Sequence, residues 1–248
     1  MDKDRTTWAN IIDGKALAAQ TRARVKQGVA RFYKATKIQP ALAVVLVGDD
    51  AASQVYVKNK IKACDEVGII SREYILPSDT TQDALLKCVE RLNNDTALHG
   101  LLVQFPMPSH ISQQAVINAI DPAKDVDGLH PLNAGRLAAG LPTLTSCTPQ
   151  GCLQLARSVV PDLTGKHVVI IGRSNLVGKP VAQLFLAANA TIVMAHSHTR
   201  NLAALARAAD ILVAAAGVPH LVKGGWIGKG AVVIDVGIHR VVKDDGTA

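Results

Sequence analysis

Tyr56 and Lys60 stand four residues apart in SQVYVKNKIKACDEV, and Ser53 stands three before Tyr56. On a helix that spacing stacks the three side chains along one flank. A phenol, an ammonium and a hydroxyl together suit a site that holds a polar substrate and moves a proton. The same pattern also fits a solvated flank beside the stripe of Val57, Ile61 and Cys64 that the helix would bury. Gln104 ends the apolar run GLLVQF. Leaving its amide buried and unpaired would cost on the order of a few kcal/mol. It therefore needs a partner, either a local backbone group or a polar side chain such as Lys60. Asp125 and Asp127 lie two apart in KDVDG. The spacing resembles part of a calcium loop, but the other ligands of such a loop are missing. Asp125 reads as a turn former and Asp127 as a carboxylate facing a ligand; no metal is expected.

A second kind of chemistry is written into KHVVIIGRSNLVGKP. His167–Ile171 reads as a buried strand, Gly172 as the opening of a tight turn, and a helix begins near Gly178. Such a loop aims backbone N–H groups at a phosphate, or simply turns a corner. The usual dinucleotide pattern is G-x-G-x-x-G, and here Ser174 fills its second glycine position. The next strand, TIVMA, ends in His196-Ser197-His198. An NAD site places an acid there for the ribose hydroxyls, whereas a 2′-phosphate asks for cations and donors. No acid is present, and Arg173 and Ser174 sit on the loop itself. Arg173 as a plain surface charge and the histidines as strand-end polar residues are the alternatives. Given a dinucleotide fold, the cofactor is expected to be NADP.

These groups need strands to end beneath them and helices to start beside them. Residues 11–38 suggest an amphipathic helix with Leu17, Val25, Val29 and Phe32 on one face. ALAVVLV at 41–47 is an apolar run typical of a parallel strand covered on both faces. Helix 53–67 closes at Gly68. A short strand at 74–76, a helix ending near Leu92, the strand 100–105 and a helix at 112–120 follow. Residues 131–147 read as a connection with turn residues. A helix starts with Thr148 as N-cap and Pro149 at its first position. Helices near 180–189 and 202–208 then alternate with strands 167–171, 191–195, 211–215 and 231–236. The pattern is α/β, two runs with parallel sheets that meet between Gly128 and Thr148.

Composition narrows the function classes. The chain has 248 residues, 48% of them hydrophobic and 19% charged, which allows a sizeable core. A net charge of +7 fits a phosphate-bearing cofactor or a polyanionic substrate. Aromatics at 3% and the lack of a dense basic run give no platform for single-stranded nucleic acid. No stretch is apolar enough to span a bilayer, and Cys64, Cys88, Cys147 and Cys152 make no C-x-x-C pair. A cytoplasmic location with free thiols is expected, with neither nucleic acid nor membrane as partner.

SQVYVKNK, HGLLVQFPMP, KDVDG, CTPQG, GRSNLVGKP, AHSHT and VIDVGI occur in fixed order. Together they resemble the bifunctional methylenetetrahydrofolate dehydrogenase/methenyltetrahydrofolate cyclohydrolase family from Asp13 onward. The resemblance implies two α/β domains with a cleft between them. A folate-binding catalytic domain would span 1–140 and an NADP-binding Rossmann-like domain 141–248. A homodimer acting on tetrahydrofolate derivatives, some of them polyglutamylated, is also implied. Tyr56 and Lys60 would be the catalytic pair, with Gln104 orienting the lysine, Asp127 holding the pterin and Ser53 lining the cleft. Arg173, Ser174 and Ser197 would meet the 2′-phosphate, and Thr148, Gly172 and Ile238 would make further cofactor contacts. Two departures are mild: Ser146 stands where the family usually has proline, and Phe105 where it usually has leucine. Past VGIHR the family continues through a Gly/Pro-rich loop to a last helix that returns to the first domain, whereas this sequence runs to Ala248.

The implied chemistry suits those residue types. Oxidising the bridging methylene removes a hydride and leaves a cation stabilised by its flanking nitrogens, so the protein mainly orients the reactants. Hydrolysing that cation to the 10-formyl compound needs proton transfers, for which Lys60 is the candidate. Without the resemblance, two other readings stay open: a dehydrogenase of another small substrate, and a non-enzymatic NADP-sensing module.

Overall fold

The computed structural model describes residues 9–237. Two fully parallel sheets organise them. The first is built on β1 (Ala41–Val47), which lies between β2 (Ile70–Leu76) and β3 (Gly100–Val103). The second orders its strands β5-β4-β6-β7, with β4 at His167–Ile171, β5 at Thr191–Ala195, β6 at Ile211–Ala214 and β7 at Val232–Asp235. Parallel neighbours need crossovers, and helices pack beside the strands. In the first unit these are α1 (Gly14–Thr36), α2 (Ala51–Val67), α3 (Gln82–Asn94) and α4 (Gln113–Ala119). In the second they are α6 (Cys147–Val159), α7 (Gly178–Ala187) and α8 (Leu202–Arg207), with α5 (Pro131–Ala138) between the two sets.

The apolar runs bury both faces, as side-chain alternation requires. Ala43, Val45 and Val47 of β1 pack with Leu85, Val89 and Leu92 of α3 and with Val116 of α4. Val44 and Leu46 point the other way, to Val57 and Ile61 of α2. In the second sheet Val168 and Ile170 pack with Leu153 and Ala156 of α6 and with Val181 and Phe185 of α7. Val169 and Ile171 meet Ala206 of α8.

Four local expectations change. β2 begins at Ile70 rather than Tyr74. It is an edge strand whose first half carries the adjacent exposed charges Arg72 and Glu73, so that half lacks an apolar signal. Residues 131–138 form a helix, α5, where a connection was expected; His130 caps it, accepting from the Leu132 N–H at 3.1 Å, and Pro131 stands at its first position. α6 starts at Cys147 with Ser146 as N-cap, so Thr148 lies inside the first turn. Pro149 is tolerated there because first-turn N–H groups have no helical acceptor. Along α1 no residue is fully buried, and Val25 and Phe32 of its apolar face stay exposed.

Candidate active site

One wall of the site rises from the carboxyl ends of β1 and β3, where open α/β sheets present ligand-binding groups. After Gly48 turns the chain, Asp50 caps α2 by accepting from the Ser53 N–H at 2.7 Å. The Ser53 backbone and hydroxyl together hold the Asp50 carboxyl below its ordinary range. Ser53 lies in the first turn of α2, is 2% exposed, and turns its N–H and hydroxyl to the Asp50 carboxyl. Tyr56 is 47% exposed, one turn from Lys60.

Half-buried Lys60 donates from Nζ to Gln104 Oε1 at 3.0 Å. Gln104 Nε2 donates to the Phe105 carbonyl at 2.6 Å, and its backbone N–H donates to the Val45 carbonyl at 2.8 Å. The amide is thus fixed from behind, and its oxygen, the end that can accept from an ammonium, faces Lys60. Both kinds of partner expected for this amide are present: a local backbone carbonyl for its nitrogen and Lys60 for its oxygen.

Asp127 joins them on the turn between α4 and α5. Burial pushes its carboxyl above the ordinary value; Lys60 pulls it down and Asp125 adds a smaller upward push. Asp125 itself is 2% exposed and accepts from the His130 N–H at 2.8 Å and from Asn133 Nδ2 at 2.9 Å. It is the turn former, as its spacing suggested. A residue that sequence reading missed also belongs here. Cys147, the first residue of α6, keeps an accessible surface, yet the surrounding protein pushes its thiol up, with Asp127 adding to the shift and Lys60 opposing it. The second unit of the chain therefore delivers a side chain to the lysine's neighbourhood. Only the CTPQG motif hinted at this, since nothing in the spacing links residues 60, 127 and 147.

The other wall is the end of β4. Gly172 has φ +127°, and a Cβ there would overlap the Ala215 carbonyl. A Cβ on Gly178 would overlap the Gly172 carbonyl. Both glycines are needed because strand, loop and helix pass within backbone distance of one another. Ser174 Oγ accepts from the N–H groups of Val177 and Gly178 at 3.1 and 3.3 Å. Its hydroxyl hydrogen remains free to donate.

A cavity of about 470 Å³ is lined by Gly172, Arg173, Ser174, His196 and Ser197. Among the described residues, no carboxylate lines it. The His196 N–H donates to Thr199 Oγ1 at 2.9 Å, and the His198 N–H donates to His196 Nδ1 at 3.2 Å. These bonds set the turn that presents Ser197. A contiguous cavity of about 400 Å³ runs along Ala216–Val222 to Asp235 and Gly237 and shares Ile171 with the first. Gly217 and Pro219 mark a bend in this loop, and only the fold shows what the bend encloses. Thr148 is exposed on the first turn of α6, and Ile238 lies outside the described residues. The glycine cradle, the start of α7 and the donor set fit a dinucleotide bearing a 2′-phosphate. Among the described residues, no group of three or more His, Cys, Asp or Glu side chains could hold a metal ion.

Residues 12–127 match the tetrahydrofolate dehydrogenase/cyclohydrolase catalytic domain, and residues 146–248 match the NAD(P)-binding domain of the same family. Bifunctional protein FolD of Parvibaculum lavamentivorans is 60% identical over 94% of this chain and 78% of its own length. A bifunctional FolD crystal structure from Campylobacter jejuni superposes with a TM-score of 0.90 at 43% identity, covering 96% of this chain and 83% of that one. The Trypanosoma brucei dehydrogenase-cyclohydrolase, solved with NADP cofactor and an inhibitor, gives a TM-score of 0.88 at 38% identity with the same coverage. With both of its domains matched in order and the lysine–amide pair and glycine cradle in place, the chain belongs to the tetrahydrofolate dehydrogenase/cyclohydrolase family.

Proposed function

We infer that the chain oxidises 5,10-methylenetetrahydrofolate to the 5,10-methenyl compound with NADP and hydrolyses that product to 10-formyltetrahydrofolate. The observation that carries this reading is the Lys60–Gln104 pair at the strand ends of the first sheet, with Asp127 and Cys147 around it. Such a lysine is held by a neutral amide, which orients the ammonium without adding charge. Asp127 accepts hydrogen bonds from the pterin's amino and ring N–H donors, and Tyr56 packs along the substrate on the exposed flank of α2. NADP supplies the hydride acceptor. Arg173, Ser174 and Ser197 hold its 2′-phosphate, Gly172 and the first turn of α7 its pyrophosphate, and Thr148 with Ile238 the cofactor's remaining edge.

In the first reaction the protein aligns the methylene with the acceptor and excludes water; the substrate's own nitrogens stabilise the cation. In the second, Lys60 moves the proton as water adds to the methenyl carbon and one carbon–nitrogen bond opens. The folate-binding unit corresponds to residues 1–140 and the NADP-binding unit to 141–248. A homodimer in the cytoplasm, acting on polyglutamylated as well as simple folates, completes the proposal.

One assay tests it. The purified chain receives methylenetetrahydrofolate with NADP or NAD, while NADPH and the methenyl absorbance are followed. NADPH should appear, with methenyl compound accumulating and then decaying, and NAD should serve far less well. NADP binding without turnover would leave only a sensing module. Turnover of other small substrates but not of this one would reassign the cleft.

A further inference from the structure

The turn that bears Asp127 is held by side chains buried too deeply to meet any substrate. Asn133, on α5, is 2% exposed. Its Nδ2 donates to Asp125 Oδ2 and to the Pro122 carbonyl, both at 2.9 Å. Its Oδ1 accepts from Thr143 Oγ1 at 2.9 Å. One amide therefore uses both of its ends, gripping residues 122–125 with its nitrogen and residue 143 with its oxygen. Thr143 begins the segment that feeds α6. Three residues on, Ser146 caps that helix, and Cys147 lies within the influence of Asp127 and Lys60. The same two segments also press together at Gly128. Its φ is +63°, and a Cβ there would stand 2.8 Å from the Leu144 carbonyl oxygen and 2.9 Å from the Ser146 nitrogen. α5 meanwhile packs against α7, and its Leu137 joins the core of the second sheet.

We propose that Asn133 is the positioning residue of the cleft: through Asp125 it fixes the turn carrying Asp127, and through Thr143 it locks that turn to the entry of α6, so that one buried amide sets the spacing of the folate wall against the cofactor wall. Asn133 touches no reactant. Its effect passes through Asp125 on one side and Thr143 on the other. This inference rests on the folate reading of the site.

The test uses Thr143→Val, Thr143→Ser, Asn133→Ala and the Asn133→Ala/Thr143→Val double variant of the full chain. Thr143→Val keeps the side chain's shape and removes one hydroxyl at a partly exposed position, so the fold survives even where Asn133→Ala does not. A lost hydrogen bond of this kind is worth about tenfold. Thr143→Val should raise KM for methylenetetrahydrofolate by about that factor, lower kcat for hydride transfer because the two walls lose their set spacing, and leave the Kd for NADP near wild type. Thr143→Ser should restore the wild-type KM. The double variant should be no worse than Asn133→Ala alone, because both substitutions cut one chain of bonds. A folded Thr143→Val with unchanged folate KM, or additive losses in the double variant, overturns the proposal. Wild-type protein that fails to turn over methylenetetrahydrofolate overturns the folate reading instead, so the two failures are distinguishable.

Discussion

At the scale of single residues, the site rests on Lys60, Asp127 and Arg173, and each has its own measurable consequence. Lys60→Met should lower methenyl hydrolysis by about 10²–10⁴-fold, the usual worth of a positioned acid or base. Hydride transfer, which needs no protein base, should suffer much less; equal losses in separate assays of the two steps would remove the lysine's special role. Arg173→Ala should weaken NADP by about 10–100-fold, the value of a charge-assisted hydrogen bond, and leave NAD almost unaffected; Kd values for both dinucleotides decide it. Asp127 bears on stability as well. Its carboxyl is raised mainly by burial, so its contribution is fully present in acid and is lost as pH rises through the raised value. Asp127→Asn should therefore melt higher than wild type at neutral pH, match it below about pH 4, where an ordinary carboxyl is protonated, and bind folate poorly. Thermal melts at the two pH values check the sign. The Lys60–Gln104 bond was legible in the sequence because an amide ending an apolar strand must find a partner. Cys147 was not, since only folding brings it toward Lys60 and Asp127.

At the scale of elements, the strand–loop–helix of 167–187 is the most constrained piece. Gly178→Ala forces a methyl group into the Gly172 carbonyl. It should cost about 1–3 kcal/mol, as overpacking does, and lower NADP affinity. Gly151, inside α6 with nothing within 4 Å of its would-be Cβ, is the internal contrast. Gly151→Ala should gain up to about 1 kcal/mol from helix propensity. Opposite shifts in melting temperature are the expected outcome, about 2–4 °C for each kcal/mol in a chain of this length. The elements legible in sequence are those with doubly covered apolar runs, β1 and β4 above all. β2 was half legible because it is an edge. α5 was hidden because Pro131, Asn133 and Gly135 look like turn residues; Asn133 is buried there only by the polar partners that the fold supplies.

At the scale of the whole molecule, two cores on two sheets predict two thermodynamic responses to cofactor. NADP at about 100 times its Kd adds about 2.7 kcal/mol to whatever must unfold to release it. Hydrogen exchange should slow in β4 and β6 and change little in β1 and β3; uniform slowing would mean that the cores unfold as one. The α/β class followed from alternating patterns. The grip that crosses between the runs did not, because it is made of side-chain hydrogen bonds between distant segments. The registers of the two sheets also fix an order in time. The three strands of the first sheet are complete by Val103, whereas the four of the second wait for Asp235. On a ribosome adding about 5–20 residues per second, the interval is on the order of ten seconds. The newborn chain thus holds the wall that bears Lys60 and Gln104 before the cofactor's wall has been synthesised.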